Sequence, residues 1–192
     1  MRSASFFVAA FTLCAGALMT ARDARALGPV DLELGAKVGM GTNPSSQNAP
    51  NPLGFGLGAR GGVSFLGIYG GVQLMYYFGS SQDLGQSISV SEHSLLYGVE
   101  AGYGVTLLDI LTIRPQIGIG NLTATASISG SGAAALGNNS PSNSNLYLEP
   151  GVTGLVSLGG WFVGADANVL FLPGADNSTA AFTLHGQVGL KL

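Results

Sequence analysis

Residues 95–120, LLYGVEAGYGVTLLDILTIRPQIGIG, alternate in character with a period of two. Leu95, Tyr97, Val99, Ala101, Tyr103 and Val105 interleave with Leu96, Gly98, Glu100, Gly102 and Gly104. After Leu108-Asp109-Ile110 the alternation resumes, with Leu111, Ile113, Pro115, Ile117 and Ile119 set against Thr112, Arg114, Gln116, Gly118 and Gly120. Period two marks a β-strand with two chemically different faces, because successive side chains point opposite ways. Glu100 and Arg114 fall on the same face, and an antiparallel hairpin brings them close to opposing each other. The fold must therefore give an unbroken apolar strand face one environment and a charged one another.

Composition decides which face meets water. Charged residues make up 9% of the chain, against about 25% in ordinary soluble domains, and mean hydropathy is +0.40. Glycine supplies 31 of 192 residues. That is too little charge to cover a soluble surface. No segment after residue 26 has the roughly 20 consecutive apolar residues of a membrane helix. A chain that crosses a membrane without helices must close its strands into a barrel, since hydrocarbon cannot satisfy an open sheet edge.

Residues 1–26 read as a secretory signal peptide and stand outside the fold. Arg2 opens a short positive region, FFVAAFTLCAGALM (6–19) is apolar but too short to span, and Ala24-Arg25-Ala26 forms an A-x-A cleavage site. The single cysteine, Cys14, lies in this segment, so residues 27–192 have no disulfide and no thiolate site. They hold four cations, Lys37, Arg60, Arg114 and Lys191, and nine carboxylates, a net charge of 4 − 9 = −5. That balance excludes nucleic acid as a partner.

Alternation predicts eight strands, near 30–40, 53–65, 68–78, 94–105, 111–120, 146–158, 161–171 and 180–192. Each approaches the roughly 9 to 11 residues with which a tilted strand crosses a bilayer. Leu66-Gly67, Leu107 to Ile110 and Gly159-Gly160 are tight turns. The connections 41–52, 79–93, 121–145 and 172–179 are longer and rich in Asn, Ser, Gly, Gln and Pro. An even strand count with short turns on one rim and long loops on the other is the plan of an outer-membrane barrel. The expected fold is all-β: an eight-stranded antiparallel transmembrane β-barrel of up-and-down topology, formed by residues 27–192. The fourth and fifth strands share parity, so an odd-length turn or a bulge is expected near Asp109.

Parity also assigns the faces. The expected outward set is apolar and includes Leu53 and Leu190, and it carries nine aromatics. Phe65, Tyr103 and Trp161 lie by the short turns; Phe55, Tyr76, Phe78, Tyr97, Phe171 and Phe182 lie toward the long loops. Two aromatic girdles flanking an aliphatic band suit headgroup depth on either side of hydrocarbon. The inward set collects the charges. Lys37, Arg60, Glu100, Arg114, Glu149 and Asp166 are expected as a mid-lumen band of three positive and three negative groups, with Lys191 near Asp31 and Glu33. An Arg or Lys facing lipid at the bilayer midplane costs about 2 to 4 kcal/mol, which accounts for the one-sidedness.

This pattern, running from the first strand to the terminal HGQVGLKL (185–192), resembles the small eight-stranded outer-membrane barrels of the OmpA/OmpX-like class. The resemblance implies insertion in outer-membrane lipid, assembly by the barrel-assembly machinery, and ligands met through external loops. Members commonly end in an outward aromatic read by that machinery, whereas this chain ends in Leu192 after Leu190 and Val188.

Eight strands enclose a space that side chains can fill, so the expected function is a non-enzymatic structural or surface-interaction protein with a largely plugged lumen. A narrow pore for water or small solutes is the alternative, supported by inward glycines such as Gly54, Gly58, Gly102, Gly118 and Gly164. A lipid-modifying barrel enzyme and a secreted lipocalin-like carrier are weaker readings. No cofactor, metal site or catalytic set is expected. Glu92-His93-Ser94 is the one local constellation with catalytic residue types, but neighbours on a strand point to opposite faces, so His93 and Ser94 do not meet there.

Overall fold

A computed structural model describes residues 30–42, 51–83, 88–108, 110–130, 142–173 and 180–192. The proposed signal peptide lies outside the described residues, as do most of the expected loops 41–52 and 172–179. Ten strands form one antiparallel sheet: β1 (Val30–Gly41), β2 (Phe55–Phe65), β3 (Ile68–Tyr77), β4 (Ser81–Asp83), β5 (Ile88–Tyr103), β6 (Val105–Leu107), β7 (Leu111–Gly130), β8 (Ser142–Leu158), β9 (Trp161–Phe171) and β10 (Ala180–Lys191). β4 is a short flap on the outer end of β5, and β6 continues β5 beyond Gly104, so the wall itself has eight strands. Neighbours in sequence pair in sequence, and β1 pairs with β10 to close the ring, Glu33 opposite Lys191 and Gly41 opposite Thr183. Closure leaves the wall without an open edge to desolvate in lipid.

The register confirms the expected parity. Ser64 opposes Tyr69, Arg60 opposes Gln73 and Gly56 opposes Tyr77 across the first hairpin. All nine aromatics assigned outward are exposed on the outer face, while Tyr69, Tyr77, Tyr147 and Phe162 are buried inside. Of the two geometries open near Asp109, the odd-length turn is found. Gly102 opposes Gln116 and Val105 opposes Ile113, so one register runs through the hairpin and a three-residue turn joins Leu107 to Leu111. Gly104, between β5 and β6, keeps the register with β3, its amide donating to the carbonyl of Gly67 at 2.7 Å.

All three short turns use left-handed backbone, Gly159 supplying it in the third with a φ of 70°. At Leu66-Gly67 both residues have positive φ, 51° and 85°, as a type I′ turn demands. Leu108 also has a φ of 52°. Leucine in this region costs roughly 1 to 2 kcal/mol, which glycine avoids.

The structure corrects several expectations. Strand replaces much of the expected loops 79–93 and 121–145, since β5 starts at Ile88, β7 runs to Gly130 and β8 starts at Ser142. These stretches are rich in Ser, Thr and Asn, which reads as loop, but they keep a period of two, and threonine is a good strand former. Thr123 opposes Ser144 and Thr125 opposes Ser142, making a ladder of hydroxyls. Leu53 is buried inside rather than outward, because β2 begins only at Phe55 and residues 51–54 fold across the barrel mouth. Asn51 holds that fold by donating from Nδ2 to the Gly41 carbonyl and accepting the Leu53 amide at Oδ1. Leu190 keeps its expected outward parity, opposite Leu34 and Trp161, although it is itself buried. A soluble, lipocalin-like arrangement is excluded, because the apolar face is the outer one.

Candidate functional site

The lumen is built in two layers. Toward the external end, Leu53, Met75, Leu96, Leu122, Leu170 and Leu172 pack with Tyr77 and Tyr147 in an apolar cluster. Parity assigns this space to polar groups, and the inward-facing leucines and methionine are legible in the sequence only as individual residues. Below it lies a hydrogen-bonded network of charges.

All six residues expected in the lumen band are buried there: Lys37, Arg60, Glu100, Arg114, Glu149 and Asp166. They do not form one ring of alternating charge. Instead two ion clusters form, each around a carboxylate that takes two cationic or potentially cationic partners.

Glu33 is the hub of the first. Arg114 grips it with two bonds, Nη1 to Oε2 at 3.0 Å and Nη2 to Oε1 at 2.5 Å, and Arg60 Nη2 reaches Oε2 at 2.9 Å. Ser64 Oγ donates to Oε1 at 3.1 Å. Both guanidiniums also lie over the ring of Tyr69, 4.0 Å from the centroid for Arg114 and 4.7 Å for Arg60. A two-pronged carboxylate contact and a stacked ring are arrangements suited to a planar guanidinium and not to an ammonium. The room comes from glycine: a Cβ on Gly62 or Gly71 would overlap the Tyr69 side chain.

The expected contact of Glu100 with Arg114 is not what forms. Glu100 opposes Gly118 in the hairpin, so it and Arg114 are offset along the strands. Glu100 accepts from Tyr69 Oη at 3.3 Å and from Gln116 Nε2 at 3.5 Å. Glu33, the partner Arg114 takes, lies across the lumen, where pairwise hairpin reasoning does not reach.

Asp166 is the hub of the second cluster. Lys37 Nζ lies 3.3 Å from Oδ2, and His185 Nδ1 lies 2.6 Å from Oδ1. His185 Nε2 is 2.7 Å from Tyr77 Oη, so Asp166, His185 and Tyr77 form a buried chain. Lys37 also donates to Gln73 Oε1 at 3.0 Å, and Gln73 donates to Glu149 Oε2 at 2.7 Å. Thr183 completes Glu149 at 3.0 Å. Gln187 joins the two clusters, accepting from Arg60 at 2.7 Å and donating to Asp166 at 3.3 Å. At the short-turn rim Lys191 pairs with Asp31 at 2.9 Å, as expected from the closing strands.

Glu92-His93-Ser94 does not assemble. Ser94 is buried and donates to the Pro52 carbonyl at 2.7 Å, while the His93 ring rests 5.8 Å from that of Tyr76 on the outer face.

A closed eight-stranded wall with aliphatic and aromatic residues outside and paired charges inside is matched by a family model. The model for the outer membrane protein beta-barrel domain covers residues 7–189. This chain belongs to that family. It is accordingly an outer-membrane protein whose outer face meets lipid. Among solved structures it is similar to Neisserial surface protein A, with 14% identity, a TM-score of 0.56, and 85% of this chain and 97% of that one covered. A major outer membrane protein from Thermus thermophilus aligns with 11% identity and a TM-score of 0.62, covering 85% and 99%. Ail, the attachment invasion locus protein of Yersinia pestis, solved with the heparin analogue sucrose octasulfate, aligns with 14% identity and a TM-score of 0.52, covering 85% and 97%. These likenesses concern the fold. No curated protein sequence matches the chain.

Proposed function

We propose that the chain is a non-enzymatic outer-membrane barrel, closed to solutes by its own side chains, that acts through the surface it presents outside the cell. The observation that carries this reading is the two-layered lumen. Lys37, Arg60 and Arg114 each pair with a buried carboxylate, and the apolar cluster lies above them. A path for water or ions would have to break several charge-assisted bonds at once. The barrel-assembly machinery is the proposed partner in insertion.

Inward glycines favour a narrow pore when the sequence is read alone, yet several lie against large side chains: Gly58 against Met75, Gly62 and Gly71 against Tyr69, Gly151 against Asn168. Planar-bilayer recording tests the reading. The folded protein is expected to give no conductance above background, and steady single-channel steps would replace closure with the pore.

The external ligand is proposed to be uncharged or cationic. Of the four cations after residue 26, three are buried in the lumen and Lys191 lies at the opposite rim. The external connections have no Lys or Arg in their sequence. A polyanion such as the heparin analogue that accompanies Ail would meet no Lys or Arg side chain here. Retention of this protein on immobilised heparin at low salt would count against the proposal.

A further inference from the structure

The short-turn rim carries apolar side chains where turns ordinarily carry polar ones. Its tips and flanks present Leu66, Ile68, Leu108, Ile110, Leu158 and Trp161, all among the exposed large hydrophobic residues. Leu108 is 89% exposed and Leu66 is 67% exposed. Asn, Asp and Gly are the residues these turns favour, because they tolerate positive φ and hydrate readily. The three turns contain no Asn, and their one charged residue by sequence, Asp109, lies outside the described residues.

Leu66 and Leu108 are the more telling because both stand at positive φ. A bulky residue in left-handed backbone is strained, and strain retained at an exposed site points to a use for the side chain that causes it. An apolar side chain at that position gains when it leaves water.

What removes it from water is indicated by continuity. Phe65 immediately precedes Leu66, Trp161 opposes Leu158 across its turn, and Tyr103 leads into β6, which ends one residue before Leu108. These are the aromatics of the lower girdle, which occupy headgroup depth. The turn leucines lie only a residue or a few beyond them on a wall already surrounded by lipid. The charged pair at this rim, Asp31 with Lys191, belongs to inward strand positions rather than to the turns.

We infer that the three short turns are sunk into the periplasmic leaflet of the outer membrane, with Leu66 and Leu108 held in strained backbone as lipid-inserted anchors. The partner is the leaflet itself. The rim therefore ends within the membrane interface and does not stand out into the periplasm.

Trp161 is the only tryptophan, so the indole can be moved. In the Trp161→Phe, Leu108→Trp variant, folded in phosphatidylcholine vesicles at low protein-to-lipid ratio, the indole reports from the turn tip. Blue-shifted emission, strong quenching by lipids brominated near the top of the acyl chain, and iodide quenching several-fold weaker than for free tryptophan are expected. Iodide access equal to that of free tryptophan would overturn the inference and leave the rim to a periplasmic protein. Protection that appears only at high protein-to-lipid ratio would also overturn it, in favour of a second copy. Leu108→Asn gives an independent sign. Asparagine relieves the strain, so a turn in water would unfold at higher urea, whereas a lipid-inserted turn loses its anchor and unfolds at lower urea. An unchanged or raised midpoint for Leu108→Asn would count against lipid insertion.

Discussion

Arg114 and Glu33 are joined by two hydrogen bonds across the lumen although 81 residues separate them in sequence. Glu33 thereby holds Arg114 and Arg60 together, its one negative charge shared between the two cations. Replacing it with alanine strands two guanidiniums in a buried space, and loss of one partner of a buried pair costs about 3 to 5 kcal/mol. Urea unfolding of the folded barrel in bilayers should show Glu33→Ala among the most damaging lumen substitutions. A double-mutant cycle should give Glu33 and Arg114 a larger coupling than Glu100 and Arg114. Equal couplings would contradict the cross-lumen pairing.

Gly71 and Gly70 are neighbours on opposite faces of β3. A Cβ at Gly71 would overlap Tyr69 Oη, whereas a Cβ at Gly70 has nothing within 4 Å. Gly71→Ala should therefore destabilise by about 1 to 3 kcal/mol, as overpacking does. Gly70→Ala should stay within about 0.5 kcal/mol of the parent. Similar midpoints for the two variants would mean that Tyr69 does not rest on the glycines.

Leu53 fills the apolar layer from a segment outside the strands. Leu53→Ala should cost about 2 to 5 kcal/mol, the range for buried leucine truncations. A loss below about 0.5 kcal/mol, the level of a surface substitution, would place the 51–54 segment outside the mouth.

Glu92 lies above the external aromatic girdle, five residues before Tyr97, and partial burial raises its carboxyl above the ordinary value of 4.5. A raised acid in the folded state binds its proton more tightly than in the unfolded chain. Its contribution is therefore most favourable below pH 4.5 and falls away as pH rises through 4.5 toward the higher folded value. Glu92→Gln should remove that part of the decline when midpoints are compared between about pH 4 and pH 8. A decline of the same depth in both proteins would show that Glu92 is not its source.

The wall was legible because its physics is local. Along Leu34, Ala36, Val38 and Met40 every second residue meets lipid, and alternation alone reports it. Burial of Lys37, Arg60 and Asp166 was legible for the same reason, since hydrocarbon leaves a charge only one direction to point. Partners were a different matter. Whether Arg114 takes Glu100 or Glu33 depends on how far each strand is staggered around the ring, and a hairpin read by itself carries no such information. Leu53 was misassigned because parity was extended two residues past the point where the ladder begins. The outer end of β5 was missed because composition was weighed above periodicity.

The seam between β1 and β10 makes Glu33 a neighbour of Lys191, and Leu32 exchanges amide bonds with Leu192. Nothing earlier in the chain can stand in for that last strand. β10 must be in place before the cylinder can exist at all, since it is the strand that bridges β9 to β1. A wall lacking β10 would present two raw edges to lipid rather than a slightly weaker version of the same object.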